Sequence, residues 1–439
     1  MPRTVLLLQG PPGPFWRDLG RAFETAGHRV VKVNFGLGDR LFWGARAAIS
    51  YRGRLEDWPA WLADLIAREG VTDVIYYADR VPQHARALDV ARKARARAWA
   101  VEFGYLRPDW ITLEPEGMGA VSRFPSDPAA LAALAEDRPL PDMEVRHGHR
   151  WFRDEAMADV GFHLAQSASW PWWPHWRHDW PLWPPFFYLA WVAQLLRMPV
   201  QARAAEREIA ALHRSGAPFD LVPLQIAEDY QIRESSRYDD LADFVDEVLA
   251  SFAAHAPAGR RLLFKTHPLD VGLRRWSAVV PRMAARHGIA DRVHAVRGGD
   301  LGDLLRAARG VVTVNSTVGL TALRAGCPTV AMGTAVYDAP GVTWQGGLDR
   351  FWTEAGPPDP DATDRLLRAL ARIQVKGSFY EPNGRRLAAA EIVRRVEDGT
   401  IHDLLSDRPR AGVKGAGNEG VSPPAPGAAP PAGPPSAEG

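Results

Sequence analysis

Val311-Val-Thr-Val-Asn315-Ser316-Thr317-Val-Gly319-Leu-Thr-Ala322-Leu323-Arg-Ala-Gly326-Cys-Pro328 decides the fold of this chain. The valine-rich start reads as a buried strand, and Asn315-Ser316-Thr317 turn the chain. Val318 to Arg324 then form a small-residue helix whose N-terminus points back over the strand end. A helix start of this kind offers unpaired N–H groups, two hydroxyls and the positive end of the helix dipole to one point in space. That combination suits an anion, most often phosphate. Gly326-Cys327-Pro328 stops the helix, and Thr329 to Met332 gives the next strand. A second reading is open on this fragment: Ser316 and Thr317 do no more than cap a helix in an ordinary α/β unit.

Upstream, Arg261-Leu-Leu-Phe264 reads as a short apolar strand followed by Lys265-Thr266-His267-Pro268. A cation, an imidazole and a rigid proline turn therefore sit at its carboxyl end, where open α/β sheets bind ligands. Two strand ends with phosphate-suited groups in one half of the chain favour the ligand site.

Strands and amphipathic helices alternate on both sides of this region. In the first half the strands are Thr4–Leu8, Arg29–Asn34, Asp73–Tyr77 and Ala98–Glu102, with helices at Trp16–Ala26, Leu55–Glu69 and Gln83–Arg95. The second half repeats the pattern with strands at Leu221–Ile226, Arg261–Thr266, Val293–Val296, Val311–Val314 and Thr329–Met332. Such alternation specifies parallel sheets covered by helices on both faces. The expectation is an α/β chain of two doubly wound, Rossmann-type domains facing a cleft, the GT-B arrangement. The first domain is placed at residues 1–120 and the second at 216–409.

Between them, residues 121–215 break the pattern. Ser169 to Trp191 holds seven of the chain's 17 tryptophans, and its prolines prevent a regular helix until about Phe186. Indole rings beside Arg and His suit the headgroup zone of a bilayer, so Trp170–Trp191 is expected to touch a membrane surface. An aromatic flap over the cleft is the other reading. From Arg410 to Gly439 the composition turns to Pro, Ala and Gly without aromatics, which predicts a disordered tail.

At 439 residues and 46% hydrophobic content, the chain can bury two substantial cores. A net charge of +1 does not favour nucleic acid as a partner. The single cysteine, Cys327, rules out an internal disulfide and fits a reducing compartment. The first apolar run, Val5–Leu8, is too short for a signal peptide, and no stretch approaches the ~20 apolar residues of a membrane span. A cytoplasmic or peripheral protein is expected. No His/Cys cluster suggests a metal, and Asp359-Pro-Asp361 lies in a proline-rich loop.

Other residues at strand ends carry chemistry. Glu102 ends a strand and can serve in acid/base work, and Arg107 can hold a carboxylate through its planar fork; a structural Glu–Arg pair is nearly as good a reading. Gln9-Gly10-Pro11 closes the first strand, with Gly10 permitting close backbone approach to a ligand. Asn34 to Asp39 and Asp79-Arg80 end strands on the same edge, and His84 follows in the next helix. Pro223-Leu-Gln225 leads into Glu228-Asp229, where Asp229 can act as nucleophile or base.

Taken in order, these strings resemble the bacterial capsule polysaccharide biosynthesis family, the KpsS-type retaining β-Kdo glycosyltransferases. The strings are Gln9-Gly-Pro, Asn34 to Asp39, Asp79-Arg80 with His84, Glu102-x-Gly-Tyr-Leu-Arg-Pro, Gln225 with Asp229 and Gln231, Lys265-x-His-Pro, and Asn315-Ser-Thr with Gly-x-Pro. The resemblance implies a GT-B-like fold and a CMP-Kdo donor, with no further cofactor. It also implies a phosphatidylglycerol-type lipid acceptor at the cytoplasmic face of the inner membrane, alongside other capsule assembly and export proteins. Lys265, His267, Pro268, Asn315, Ser316 and Thr317 would bind the donor. Gln9, Gly10, Asp39, Arg107 and Gln225 would contact substrate, while Asp229 and Glu102 share the catalytic roles. Two alternatives stay open: a non-catalytic glycolipid-binding scaffold of capsule export, or a GT-B enzyme using another nucleotide sugar.

Overall fold

The computed structural model describes residues 1–147, 151–176, 183–226, 230–406 and 408–414. Its first sheet is built on β1 (Thr4–Leu7), β2 (Arg29–Asn34), β3 (Ile49–Ser50), β4 (Asp73–Tyr77), β5 (Arg97–Phe103) and β6 (Trp110–Pro115). The second comprises β7 (Phe219–Pro223), β8 (Arg261–Lys265), β9 (Val293–Val296), β10 (Gly310–Thr313) and β11 (Thr329–Ala331). One more strand, β12 (Gln374–Lys376), returns to the first sheet.

The strand orders are β3-β2-β1-β4-β5-β6-β12 and β9-β8-β7-β10-β11. In each sheet the first strand is central and the next strands build outward, first on one side and then on the other. The order therefore reverses between β1 and β4 and between β7 and β10, the points where α/β folds bind ligands. Neighbouring strands from β3 through β5 and from β9 through β11 run parallel. Strands covered on both faces must be apolar on both. Val5, Leu6 and Leu7 meet that demand, as do Leu221 and Val222 and the Leu262-Leu263 pair, all fully buried.

Helices cover the sheets with single apolar faces. Helix Phe15–Thr25 buries Phe15, Trp16, Leu19 and Phe23. Helix Leu241–His255 starts at Asp240, whose side chain accepts from the Ala242 N–H within a capping box. The two expected doubly wound units are thus present, with strand boundaries within three residues of those read from the sequence.

Residues 121–215 are largely helical, with segments at Pro128–Ala135, Trp151–Ser167 and Pro184–Arg214. The last helix begins with Pro184 and Pro185 in its first turn, where a missing N–H costs nothing. Helix Trp151–Ser167 is fastened to the first unit by its far end. Gln166 Oε1 accepts from the Gly38 N–H at 3.0 Å, and Ser169 Oγ accepts from the Leu37 N–H at 2.7 Å. Trp173 is buried and Trp176 packs on the first unit's core, so these two rings are not free for a membrane. Trp170, Trp172 and Trp183 are exposed. Arg177 and Trp180 lie outside the described residues.

The second unit does not keep the chain to residue 409. β12 pairs antiparallel with β6, matching Val375 to Ile111, and helix Pro382–Asp398 packs on helix Phe15–Thr25. Arg385 Nε donates to Asp18 Oδ2 at 2.7 Å in that contact. A three-residue strand carries too little periodicity to reveal its partner, and only the open edge of β6 decides it. Nor does the tail begin free at Arg410. The Ala411 and Gly412 N–H groups donate to Ser122 and Ala120 carbonyls, and Thr334 Oγ1 donates to the Gly412 carbonyl at 2.8 Å. Composition missed this because much of the attachment is made by the segment's backbone groups, with Lys414 adding an ion pair to Asp338 at 2.6 Å.

Ile392, fully buried in helix Pro382–Asp398, tests the return of the chain. Ile392→Ala should destabilise the first unit by roughly 2–5 kcal/mol. Leu387→Ala, on the exposed side of the same helix, should stay within about 0.5 kcal/mol. Urea denaturation followed by tryptophan fluorescence measures both.

Candidate active site

The carboxyl ends of both sheets open on one cavity of about 310 Å³. From the first unit it is lined by Glu102, Tyr105, Arg107 and Met118; from the second by Gln225, Gln231, His267, Asn315, Ser316, Thr317 and the Thr334–Tyr337 loop. Eight positions singled out in the sequence, Glu102, Arg107, Gln225, Gln231, His267, Asn315, Ser316 and Thr317, therefore converge on it.

On the second unit the geometry starts with a clamp between β7 and β10. Gln225 Nε2 donates to Asn315 Oδ1 at 3.0 Å, and Asn315 Nδ2 donates to the Gln231 carbonyl at 3.1 Å. The clamp aims the Asn315-Ser316-Thr317 turn at the cavity. Ser316 Oγ caps helix Thr317–Arg324 by accepting from the Val318 N–H at 3.2 Å. Tyr337 OH donates to the Ser316 carbonyl at 2.5 Å, which fixes the turn from the other side. Gly319 is required here, because a Cβ would collide with the Tyr337 hydroxyl. Ser316 thus caps its helix and also faces the cavity, so the two readings of the turn are compatible.

His267 lies opposite. The Leu269 N–H donates to its Nδ1 at 3.1 Å, placing the imidazole proton of the neutral ring on Nε2. Burial, helped by Arg107, Lys265 and Arg297, lowers its pKa to about 4. At neutral pH it is an uncharged donor in a positive field. Lys265 is buried behind it and lines no part of the cavity; burial lowers its pKa, opposed by Asp300. Pro268 is exposed in the turn and is likewise absent from the wall. Neither residue, expected to bind the donor, stands in the wall of this cavity, although the Lys265 charge contributes to the lowered pKa of His267.

On the first unit, Glu102 Oε1 accepts from the Phe103 N–H at 3.0 Å, and Tyr77 supports the same carboxylate. Burial nevertheless raises the Glu102 pKa to about 7. The Arg107 guanidinium stands 5.2 Å from the centre of the Phe103 ring, with Nε donating to the Gly104 carbonyl at 3.2 Å. Gln9 and Gly10 line a neighbouring cavity. Gly10 answers first to packing, since a Cβ there would sit 2.6 Å from the Trp16 indole. Asp39 is corrected outright. It is buried, accepts from the Phe35 N–H at 2.8 Å, lies 3.7 Å from Lys32 Nζ and lines neither this cavity nor its neighbour. His84 also turns inward, with Nδ1 3.0 Å from the Ala78 carbonyl.

Asp229 lies outside the described residues, between Ile226 and Gln231, which both line the cavity. Sequence reasoning passed over Glu155 and Tyr337, and quoted Tyr105 within a motif without giving it a role. The two tyrosines carry no local signal beyond following motif residues, and Glu155 sits on a helix far from any strand end. Asp359 proves to be a helix N-cap. Among the described residues no group of three or more His, Cys, Asp or Glu side chains is placed to hold a metal.

A family model described as capsule polysaccharide biosynthesis protein matches residues 72–380. The capsule polysaccharide export protein KpsS of Escherichia coli is 34% identical over 388 residues, covering 86% of this chain and 97% of that protein. The capsule polysaccharide modification protein LipB of Neisseria meningitidis serogroup A is 30% identical over 386 residues, covering 86% and 91%. Among solved structures, Thermosulfurimonas dismutans KpsC, described as a beta Kdo 2,7 transferase, aligns over 91% of this chain and 100% of its own. Its identity is 16% and its TM-score 0.44. The S. aureus MnaA–UDP co-structure aligns over 93% and 99% at 10% identity, with a TM-score of 0.31.

Glu114, which accepts from the hydroxyl of the cavity residue Tyr105 at 2.8 Å, supplies a pH test. Burial raises its carboxyl from 4.5 to about 7, against hydrogen bonds from Ser122 and Tyr105. The folded chain then holds a proton that the unfolded chain releases, so this group's contribution to stability falls as pH rises from about 4.5 through about 7. Glu114→Gln should flatten that part of the decline in urea midpoint. An unchanged slope would assign it to other carboxyls.

Proposed function

Since this chain belongs to the capsule polysaccharide biosynthesis family, we propose that it transfers Kdo from CMP-Kdo, with retention, to a (lyso)phosphatidylglycerol-type lipid. That transfer would start the poly-Kdo linker of a capsule. One observation carries the reading: His267, Ser316, Thr317 and Arg107 meet in one cavity between two doubly wound units. The neutral His267 donates through Nε2, and the start of helix Thr317–Arg324 adds hydroxyls and the dipole, a set suited to the CMP phosphate. Arg107, from the opposite unit, suits the sugar carboxylate. Asp229 is the proposed nucleophile and Glu102 an acid/base group, with no cofactor beyond the donor.

Access to a lipid would come from the inserted region. No helix among the described residues is long and apolar enough to cross a membrane. The exposed Trp170, Trp172, Trp183, Phe186, Leu189 and Leu196 instead offer apolar surface to an anionic inner-membrane face. A non-catalytic role in capsule export has the name of the E. coli relative in its favour; the neutral histidine and buried carboxyls of the cleft favour chemistry.

Incubation with CMP-Kdo and fluorescent lysophosphatidylglycerol tests the reading, and CMP binding without any transfer would favour the export role. His267→Ala and Ser316→Ala should each weaken CMP binding in calorimetry by about 1.5–3 kcal/mol. Asp229→Ala should abolish transfer and leave CMP binding intact. For the surface, Trp170→Ser with Trp172→Ser and Leu196→Ser should release the protein from anionic liposomes in flotation. Equal flotation of variant and wild type would remove this face from membrane contact.

A further inference from the structure

A second cavity of about 300 Å³ adjoins the first on the side of the N-terminal unit. Gly10, Tyr77, Phe162, Trp176 and Tyr380 wall it, and Phe103 and Glu155 stand in the walls of both cavities. Of that shared pair only Glu155 can carry a proton. It comes from helix Trp151–Ser167, whose far end is fastened to the first unit through Gln166 and Ser169. Its Oε2 is buried and has no hydrogen-bond partner among the described residues. Asp159, one turn further along, is engaged by the Tyr188 hydroxyl at 2.8 Å. Glu102 is held by the Phe103 N–H and lines the first cavity alone. An unpartnered carboxyl oxygen at the junction of two cavities is placed for a proton that appears there.

We propose that the second cavity receives the hydroxyl-bearing end of the acceptor, a small polyol headgroup, and that Glu155 takes the proton from the attacking hydroxyl. The inference rests on the transferase reading and adds the acceptor subsite and its base. In the second displacement of a retaining transfer, the acceptor oxygen bonds to the anomeric carbon as the bond from that carbon to its leaving oxygen, now that of the nucleophile's carboxylate, breaks. The electron pair departs with the leaving oxygen, and the acceptor proton passes to Glu155 and then to water. Aromatic walls suit the C–H faces of a polyol, and Gln9, Gln83 and His163 supply the few polar contacts that orient it. Among the described residues, Arg107 across the cleft and Asp159 on its own helix act on the Glu155 charge, and Tyr77, His163 and Tyr380 share the wall of the second cavity with it, as Glu102 and His267 share that of the first. Burial and Asp159 raise its pKa to about 7 while Arg107 opposes them, which suits a base working near neutral pH.

The test uses the full chain with CMP-Kdo and fluorescent lysophosphatidylglycerol, comparing wild type, Glu155→Gln and Glu155→Asp. Glu155→Gln should lower kcat by roughly 10²–10⁴-fold with CMP affinity unchanged. The rise of kcat with pH near 7 should vanish in this variant, and Glu155→Asp should restore part of the turnover and the rise. Wild-type kcat in Glu155→Gln overturns the inference and leaves the transferase reading standing. Loss of turnover matched by loss of CMP affinity in both variants overturns it in favour of a structural role. A wild-type protein that binds CMP and transfers nothing removes the reading and this inference together.

Discussion

Pairing of β12 with the open edge of β6 is the constraint on which the cleft depends. The chain passes from the first unit to the second through the inserted helices, and residues 374–406 carry it back. Val375 then lies beside Ile111, and Ile392 is buried where helix Pro382–Asp398 meets helix Phe15–Thr25. Two crossings hold the sheets with their carboxyl ends facing each other. A single linker would leave the usual freedom of two domains joined by a modest interface. The Arg408–Lys414 segment adds a further tie, since it bonds Ala120 and Ser122 on one side and Thr334 on the other.

Desolvation dominates the chemistry of the cleft so formed. Glu102, Glu114 and Glu155 all have pKa values raised to about 7, with burial the largest cause in each case. His267 moves the opposite way for the same reason, since burial disfavours the charged form of either group. The Glu102 and Glu155 carboxyls on the cavity wall can therefore take up and release protons near neutral pH, while His267 stays uncharged there. Shifted groups of this kind concentrate where chemistry is done. The buried Lys32–Asp39 pair shows the structural counterpart: burial shifts both partners, and their mutual attraction opposes it, yet they line neither of the two cavities.

Much of the candidate site was legible because strand ends are. In a doubly wound sheet every motif that follows a strand is delivered to the same edge, so Glu102, Gln225, His267 and Asn315 could be grouped without coordinates. Asp39 and Lys265 show the limit of that rule. Each follows or ends a strand, but a side chain there can turn into the protein, and the local sequence does not say which way. Glu155 shows a different limit. It sits mid-helix in an insertion without strand periodicity, and it reaches the cleft only because Gln166 and Ser169 fasten that helix to the backbone of Leu37 and Gly38.

The tryptophan-rich stretch divides along the same line. Its composition announced an unusual surface, but Trp173 and Trp176 are packed inward while Trp170, Trp172 and Trp183 face out. By itself the sequence determined the two parallel sheets, their order along the chain and the edge at which ligands would meet them. Apolar runs and helix stops are local properties, and right-handed crossovers leave few alternatives. Tertiary structure alone decided which carboxyls share the cleft, which indoles are spent on the core and where the chain returns. Those outcomes depend on contacts between residues far apart in the chain, and no local pattern records them.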